Sequence, residues 1–193
     1  MKKRIIALGL LWCLSAVMLQ AARVDTVLVR SAAMNKDVKV VYVLPDKAIG
    51  KQACPVVYLL HGYGGNARSW VQLKPELPQM ADEKGIIFVC PDGKNSWYWD
   101  SPENPAYRYE TFVTSELVKY TDGNYATIPD RKARAISGLS MGGHGALWSA
   151  IRHKDVFGAA GSMSGGVDIR PFPQNWEMNK PVSYTHLRAH ETL

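Results

Sequence analysis

Arg134-Ala135-Ile136-Ser137-Gly138-Leu139-Ser140-Met141-Gly142-Gly143 is the stretch whose reading decides the fold. It sets Ser140 between glycines two residues before and two after, and a third glycine follows at once. A serine hydroxyl is a weak nucleophile unless it is held clear of its neighbours and aimed at both a base and an acyl carbon. A tight turn from strand to helix does this. It crowds the backbone around positions 138 and 142, where a side chain would collide, and Gly143 lets the departing helix lie close to the sheet. The flanks agree: Arg134 to Ser137 reads as a short strand, and Gly145-Ala146-Leu147-Trp148-Ser149-Ala150-Ile151 reads as an apolar helix. Ser140 is therefore the candidate nucleophile.

Working outward, Pro55-Val56-Val57-Tyr58-Leu59-Leu60 and Gly85-Ile86-Ile87-Phe88-Val89-Cys90 are nearly continuous apolar runs, as parallel strands covered on both faces require. Between them Leu77 to Lys84 reads as a helix stopped by Gly85. Tyr109 to Thr121 reads as another, with Phe112, Val113, Leu117 and Tyr120 on one stripe and Gly123 as its stop. Val24 to Arg30 and Asp37 to Leu44 form an opening antiparallel pair, the second alternating Val38, Val40, Tyr42, Leu44 with Lys39, Val41, Val43. Helices alternating with buried strands predict an α/β fold built on a mostly parallel, doubly wound sheet. In such sheets ligands bind beyond the carboxyl ends of the strands. His61-Gly62-Tyr63-Gly64-Gly65, the segment from Pro91-Asp92-Gly93 to Tyr109, and the Ser140 turn should therefore share one surface.

The chain has 193 residues, 47% hydrophobic and 21% charged, which suits a single domain with a substantial core. Residues 1–21 carry Lys2, Lys3 and Arg4, then an apolar run, then Gln20-Ala21-Ala22. That order predicts a secretory signal peptide cut after Ala21 or Ala22, a secreted or periplasmic protein, and no stable membrane insertion after cleavage. Val182-Ser183-Tyr184-Thr185-His186-Leu187-Arg188-Ala189-His190-Glu191-Thr192 resembles the translation of a transposon-end sequencing adapter. On that reading residues 182–193 are foreign, and 22–181 are part of a domain whose native sequence continues past Lys180. Setting aside Lys2, Lys3, Arg4 and Arg188 on one side and Glu191 on the other lowers the net charge from +6 to +3. So small an excess gives no reason to invoke nucleic acid. Cys54 precedes one apparent parallel strand and Cys90 ends another, roughly 15 Å apart, so no disulfide is expected between them.

Acyl transfer also needs backbone N–H donors aimed at the oxygen that gains charge. The amide of Met141, directly after the nucleophile, is one; the amide of Tyr63, in the glycine-rich loop after the Leu60 strand, is the other. Tyr58-Leu59-Leu60-His61-Gly62-Tyr63, Trp99-Asp100-Ser101, Tyr109-Glu110-Thr111-Phe112 and the glycine-serine turn together resemble the esterase D-type branch of the α/β-hydrolases. That branch includes tributyrin esterases, S-formylglutathione hydrolases, feruloyl and acetylxylan esterases, and mycolyltransferases. The resemblance runs from Val24 to Lys180. It implies Ser140 as nucleophile, an oxyanion hole of the Tyr63 and Met141 amides, and neither metal nor organic cofactor. In these hydrolases the triad follows the chain order serine, acid, histidine. Asp168 comes after the strand directly following the turn, too early for the acid. His186 and His190 fall in the adapter-like tail. His144, on the first turn of the helix, points away from an approaching base; His153 sits where a helix dipole favours it; His61 braces the oxyanion loop. The base and acid are thus not among the recognisable residues.

Trp97, Tyr98, Trp99, Tyr107 and Tyr109 cluster on the expected active-site surface. Trp97 and Trp99 are candidates to stack on a sugar ring or a phenolic acyl group, with packing on the domain as the alternative. The expectation is a secreted serine esterase acting on a short-chain or carbohydrate-linked ester, acetyl or feruloyl. The alternatives are an acyltransferase to a sugar and a non-catalytic glycan-binding module.

Overall fold

The computed structural model describes residues 22–168. The basic-apolar leader at 1–21 and the adapter-like segment with His186 and His190 lie outside them. In chain order the elements are β1 (Arg23–Ser31), β2 (Lys36–Leu44), α1 (Asp46–Ile49), β3 (Val56–Leu60), α2 (Ser69–Leu73), α3 (Leu77–Lys84) and β4 (Ile87–Pro91). Then come α4 (Tyr109–Thr111), a π-helical turn (Phe112–Glu116), α5 (Leu117–Asn124), β5 (Arg134–Leu139), α6 (Met141–Arg152) and β6 (Ala159–Met163). The six strands form one sheet in the order β1-β2-β4-β3-β5-β6. β4, β3, β5 and β6 run parallel, while the β1–β2 hairpin joins antiparallel, with Val40 opposite Pro91.

Strand periodicity sorts the core into two layers, because successive side chains point to opposite faces. Val40, Tyr42, Val56, Tyr58, Leu60, Ile87, Val89 and Ile136 face one side, under Phe112, Val113 and Leu117 of the middle helical segment and Met141 and Ala146 of α6. Val41, Val43, Leu59, Phe88 and Cys90 face the other, under Trp70 of α2 and Leu77 and Ala81 of α3. This is the doubly wound arrangement expected. Gly85 ends α3 at φ 65°, the left-handed C-terminal stop that its position predicts. Cys54 and Cys90 are buried and free, and the parallel register of β3 and β4 sets them at opposite ends of those strands.

One local expectation needs correction. The helix beginning at Tyr109 does not stop at Gly123: it continues to Asn124, and five residues of it adopt the wider π turn. The alternation expected in β2 holds, with Val38, Val40, Tyr42 and Leu44 in one layer and Val41 and Val43 in the other, both faces being covered from Val40 on. β6 stands at the end of the sheet, and its residues are largely exposed.

Candidate active site

β5 delivers Ser140 into the turn, where it takes φ 54° and ψ −116°. A non-glycine residue at positive φ is uncommon, and the surroundings here enforce it. The Ser140 N–H donates to the carbonyl of Met163, the last residue of β6, at 2.8 Å, and the Ser140 carbonyl accepts the first bond of α6, from His144 N–H, at 3.0 Å. A Cβ at Gly138 would lie 2.2 Å from the backbone of Gly142, and one at Gly142 would lie 2.2 Å from the Leu60 carbonyl. Gly143 approaches Ser162 and Met163 less closely, with a Cβ there 2.8 Å from the Ser162 hydroxyl and 2.9 Å from the Met163 carbonyl. Each glycine of the motif thus has a named neighbour that excludes a side chain.

The loop after β3 meets this turn. A Cβ on Gly62 would sit 3.6 Å from the Ser140 Cβ. Gly65 N–H closes a four-residue turn on the Gly62 carbonyl at 3.0 Å, and Gly64 at φ 75° takes the position where a type II turn requires positive φ. Tyr63 is the other central residue of the turn, with its side chain 44% exposed. Met141 is the first residue of α6, so its amide has no acceptor inside the helix. Tyr63 and Met141 therefore stand on either side of the contact between Gly62 and Ser140.

His61 is buried and holds the loop from beneath. Its Nδ1 lies 2.7 Å from the Gly62 carbonyl, which can only accept, so Nδ1 carries the proton; Nε2 then accepts the Gly93 N–H at 2.9 Å. This is a neutral imidazole with both nitrogens engaged, a brace as expected. His144 directs Nδ1 at the Gly166 carbonyl, 2.8 Å away, and its ring packs among Trp97, Trp99 and Trp148. Burial holds the His144 pKa below its ordinary value. His153 caps α6, where a dipole effect was expected, but its closer partner is the Glu110 carboxylate at 2.8 Å. Asp168 is exposed, in the segment following β6.

Trp97 and Trp99 lie inside the molecule, 2% and 3% exposed. Their burial against His144 corrects the stacking expectation in favour of packing. Trp97 and Tyr98 are consecutive residues at positive φ, 56° and 60°, which tucks both rings under the site. Tyr98 lies where Cβ atoms on Gly93 and Gly145 would collide with its ring, at 2.3 and 2.6 Å. Its hydroxyl accepts the His61 backbone N–H at 3.0 Å. One side chain thus joins the β4 loop, α6 and the oxyanion loop. Glu110 does similar work farther from Ser140: its buried carboxylate accepts from Trp148 Nε1 at 2.7 Å and from Arg152 Nε and His153 Nε2 at 2.8 Å. Burial raises the Glu110 pKa, but those three donors outweigh it and hold the carboxyl below its ordinary value. Sequence reading placed Tyr98 only among the aromatics and Glu110 only within a matching stretch. Their partners are 37 or more residues away, so no local signal could have found them.

Among the described residues, no group of three or more His, Cys, Asp or Glu side chains converges as a metal site would require, and no helix is long and apolar enough to cross a membrane.

A family model described as "Putative esterase" matches residues 31–192. The acetyl esterase of Caldicellulosiruptor saccharolyticus is 27% identical over 169 residues, which are 82% of this chain and 62% of that protein. The diacylglycerol acyltransferase/mycolyltransferase Ag85A of Mycobacterium gordonae is 34% identical over 155 residues, 75% of this chain and 43% of that protein. A solved ferulic acid esterase matches with a TM-score of 0.69 at 31% identity, covering 82% of this chain and 65% of its own. The chain thus spans between 43% and 62% of the length of these two curated relatives.

Proposed function

This chain belongs to the esterase family matched over residues 31–192, with an α/β-hydrolase fold, and from that premise we propose that it is a secreted or periplasmic serine esterase. The substrates proposed are carboxylic esters with short acyl groups or linked to carbohydrate, acetyl or feruloyl. The observation that carries the reading is the backbone of Ser140, held at φ 54° between glycines that tolerate no side chain, beside the Gly62 loop. Export rests on the basic, apolar, small-residue order of residues 1–21.

In the proposed reaction Ser140 Oγ attacks the acyl carbon and gives its proton to a general base. The carbonyl oxygen becomes an oxyanion between the Tyr63 and Met141 amides, where fixed donors stabilise charge as it develops. Collapse expels the alcohol with that proton and leaves an acyl-serine, which water cleaves by the same steps in reverse order. The base and its orienting acid are proposed to come from outside residues 22–168, because the ring hydrogen bonds of His61, His144 and His153 go to Gly62, Gly93, Gly166 and Glu110 and none of them to Ser140.

Hydrolysis of p-nitrophenyl acetate by the full-length protein tests this reading. Ser140→Ala should lower kcat by about 10⁴ to 10⁶; a rate close to wild type would remove Ser140 from the mechanism. The likeness to a protein named an acyltransferase favours a second reading, transfer of the acyl group to a sugar. Product analysis with and without a sugar acceptor distinguishes the two.

A further inference from the structure

The antiparallel entry of β2 into the sheet has a consequence for the substrate. Because β2 runs against β4, its first residue lies at the carboxyl end of the parallel strands, the edge that carries the oxyanion loop and Ser140. That first residue is Lys36. Next to it the chain leaving β4 turns through Asp92 and Lys94, fastened to β2 by Asp92 N–H donating to the Lys39 carbonyl at 2.8 Å. Asn95 then reaches across to the oxyanion loop, its side-chain oxygen accepting the Gly64 N–H at 2.8 Å. These segments border an open surface groove of about 440 Å³ lined by Lys36, Gly64, Gly65, Lys94, Asn95 and Tyr107. The lining holds two cations and no acid. A second hollow of about 240 Å³ continues from it, sharing Lys36 and Lys94 and adding Asp37, Lys39, Asp92 and Tyr109.

Both ammonium groups are held in place. Lys36 Nζ donates to the Ala106 carbonyl and sits 4.7 Å from the ring centre of Tyr109 and 5.3 Å from that of Tyr107. Among the described residues no carboxylate forms an ion pair with it. Lys94, at φ 50°, is pinned by both oxygens of Asp92, which accept from its amide at 3.0 Å and from Nζ at 2.9 Å. Burial raises the Asp92 carboxyl, but the Lys94 amide and ammonium donors beside it outweigh that and hold it well below the usual carboxylate range. The lining of the two hollows therefore carries Lys36, Lys39 and Lys94 against Asp37 and Asp92, an excess of one cation. Burial first, and the charge of Lys94 second, lower the pKa of Lys36. An anion between the two lysines would relieve that repulsion, and ring faces with a carbonyl leave the Lys36 charge only partly compensated.

We infer that the Lys36–Lys94 groove is a subsite for a carboxylate borne by the substrate, so that the preferred esters are anionic. The groove begins at Gly64, the residue after the proposed oxyanion donor Tyr63, within reach of whichever half of a bound ester lies along that loop. A uronic-acid alcohol or a dicarboxylic half-ester carries the required group. This inference rests on the esterase reading and specifies its substrate class.

Two pairs of esters test it on the full-length protein. For a carboxylate on the alcohol side, 4-acetoxybenzoate is compared with 4-acetoxybenzamide; for one on the acyl side, p-nitrophenyl hydrogen glutarate is compared with p-nitrophenyl butyrate. In at least one pair kcat/KM should favour the anion by about tenfold, mostly through KM, and the preference should shrink at about 0.5 M salt. The pair that shows it identifies the half of the ester that enters the groove. Lys36→Met keeps the aliphatic stem and should abolish the preference, Lys36→Arg should restore most of it, and Lys94→Met should reduce it. Calorimetric binding of 4-acetoxybenzoate and its amide to the Ser140→Ala protein reads the alcohol-side arm without turnover, so absence of esterase activity and absence of anion selectivity remain separate results. Equal kcat/KM within both pairs, or a preference that survives Lys36→Met together with Lys94→Met, would overturn the inference.

Discussion

Ser140 occupies a backbone conformation that costs on the order of 1–3 kcal/mol, and its neighbours sustain it. The glycines at 138 and 142 serve by what they lack. Gly142→Ala would drive a methyl to 2.2 Å from the Leu60 carbonyl and 2.7 Å from that of His61, both backbone atoms that cannot rotate away. We expect this variant to lose about 3 kcal/mol or more of stability, read by chemical denaturation, and to lose activity because the displaced atoms belong to the oxyanion loop. Tyr98 is the finer case. Tyr98→Phe keeps the ring wedged between Gly93 and Gly145 but takes the acceptor from the His61 N–H, leaving a buried donor unpaired. The cost should be about 1–3 kcal/mol in stability. As a positioning residue, Tyr98 should also show a fall in kcat for p-nitrophenyl acetate larger than any change in KM, since the loop it fixes carries the donor that matters in the transition state. A loss of stability with kcat unchanged would reduce Tyr98 to a packing role.

Elements rather than single contacts set the next level, and here Glu110 is informative because it joins α4 to the last turn of α6, which begins at the nucleophile. Its depressed pKa fixes the sign of a pH effect. A carboxylate with a folded pKa below its unfolded value stabilises the protein above about pH 4.3, and that contribution fades as pH falls through the folded pKa. Glu110→Gln should therefore destabilise by about 1–3 kcal/mol at pH 7, towards the lower figure because Arg152 and His153 are 42% and 32% exposed. The gap from wild type should narrow below about pH 4, as thermal melts at stepped pH would show. Gly123 gives the opposite sign: a Cβ there meets nothing within 4 Å, so Gly123→Ala should stabilise by about 0.5–1 kcal/mol. The contrast explains what could be read from the chain. Strands β3 and β4 were legible because burial on both faces writes an unbroken apolar run, and the Ser140 turn because its steric demands fall on adjacent positions. The π turn left no trace, since one wider turn barely disturbs the apolar stripe of Phe112, Val113 and Leu117. The burial of Trp97 and Trp99 was equally hidden, because an aromatic that packs and one that binds a sugar look alike in sequence.

At the scale of the whole molecule, the described sheet gathers the residues of the proposed site along one edge. The carboxyl ends of β3, β4 and β5 bring together the oxyanion loop, the Lys94 turn and Ser140, and the hairpin adds Lys36 to the same edge. The proposed reaction also requires a proton acceptor at this edge. His61 uses both ring nitrogens on backbone groups, His144 is tied to Gly166 among three indoles, and His153 is held by Glu110 at the far end of α6. Without a base a serine hydroxyl near its ordinary pKa scarcely attacks an ester, whatever the quality of the oxyanion hole. Residues 22–168 expressed by themselves should accordingly show no p-nitrophenyl acetate hydrolysis that disappears with Ser140→Ala. They should also associate through β6, which pairs on one side only among the described residues and leaves Ala159, Ala160 and Met163 exposed beside Val167. Sedimentation over a concentration series reads the second expectation, and a parallel assay of the fragment and its Ser140→Ala form reads the first. A serine-dependent rate in the fragment would return the base to one of His61, His144 and His153, and His144, with Nε2 unpaired, would be the one to replace first.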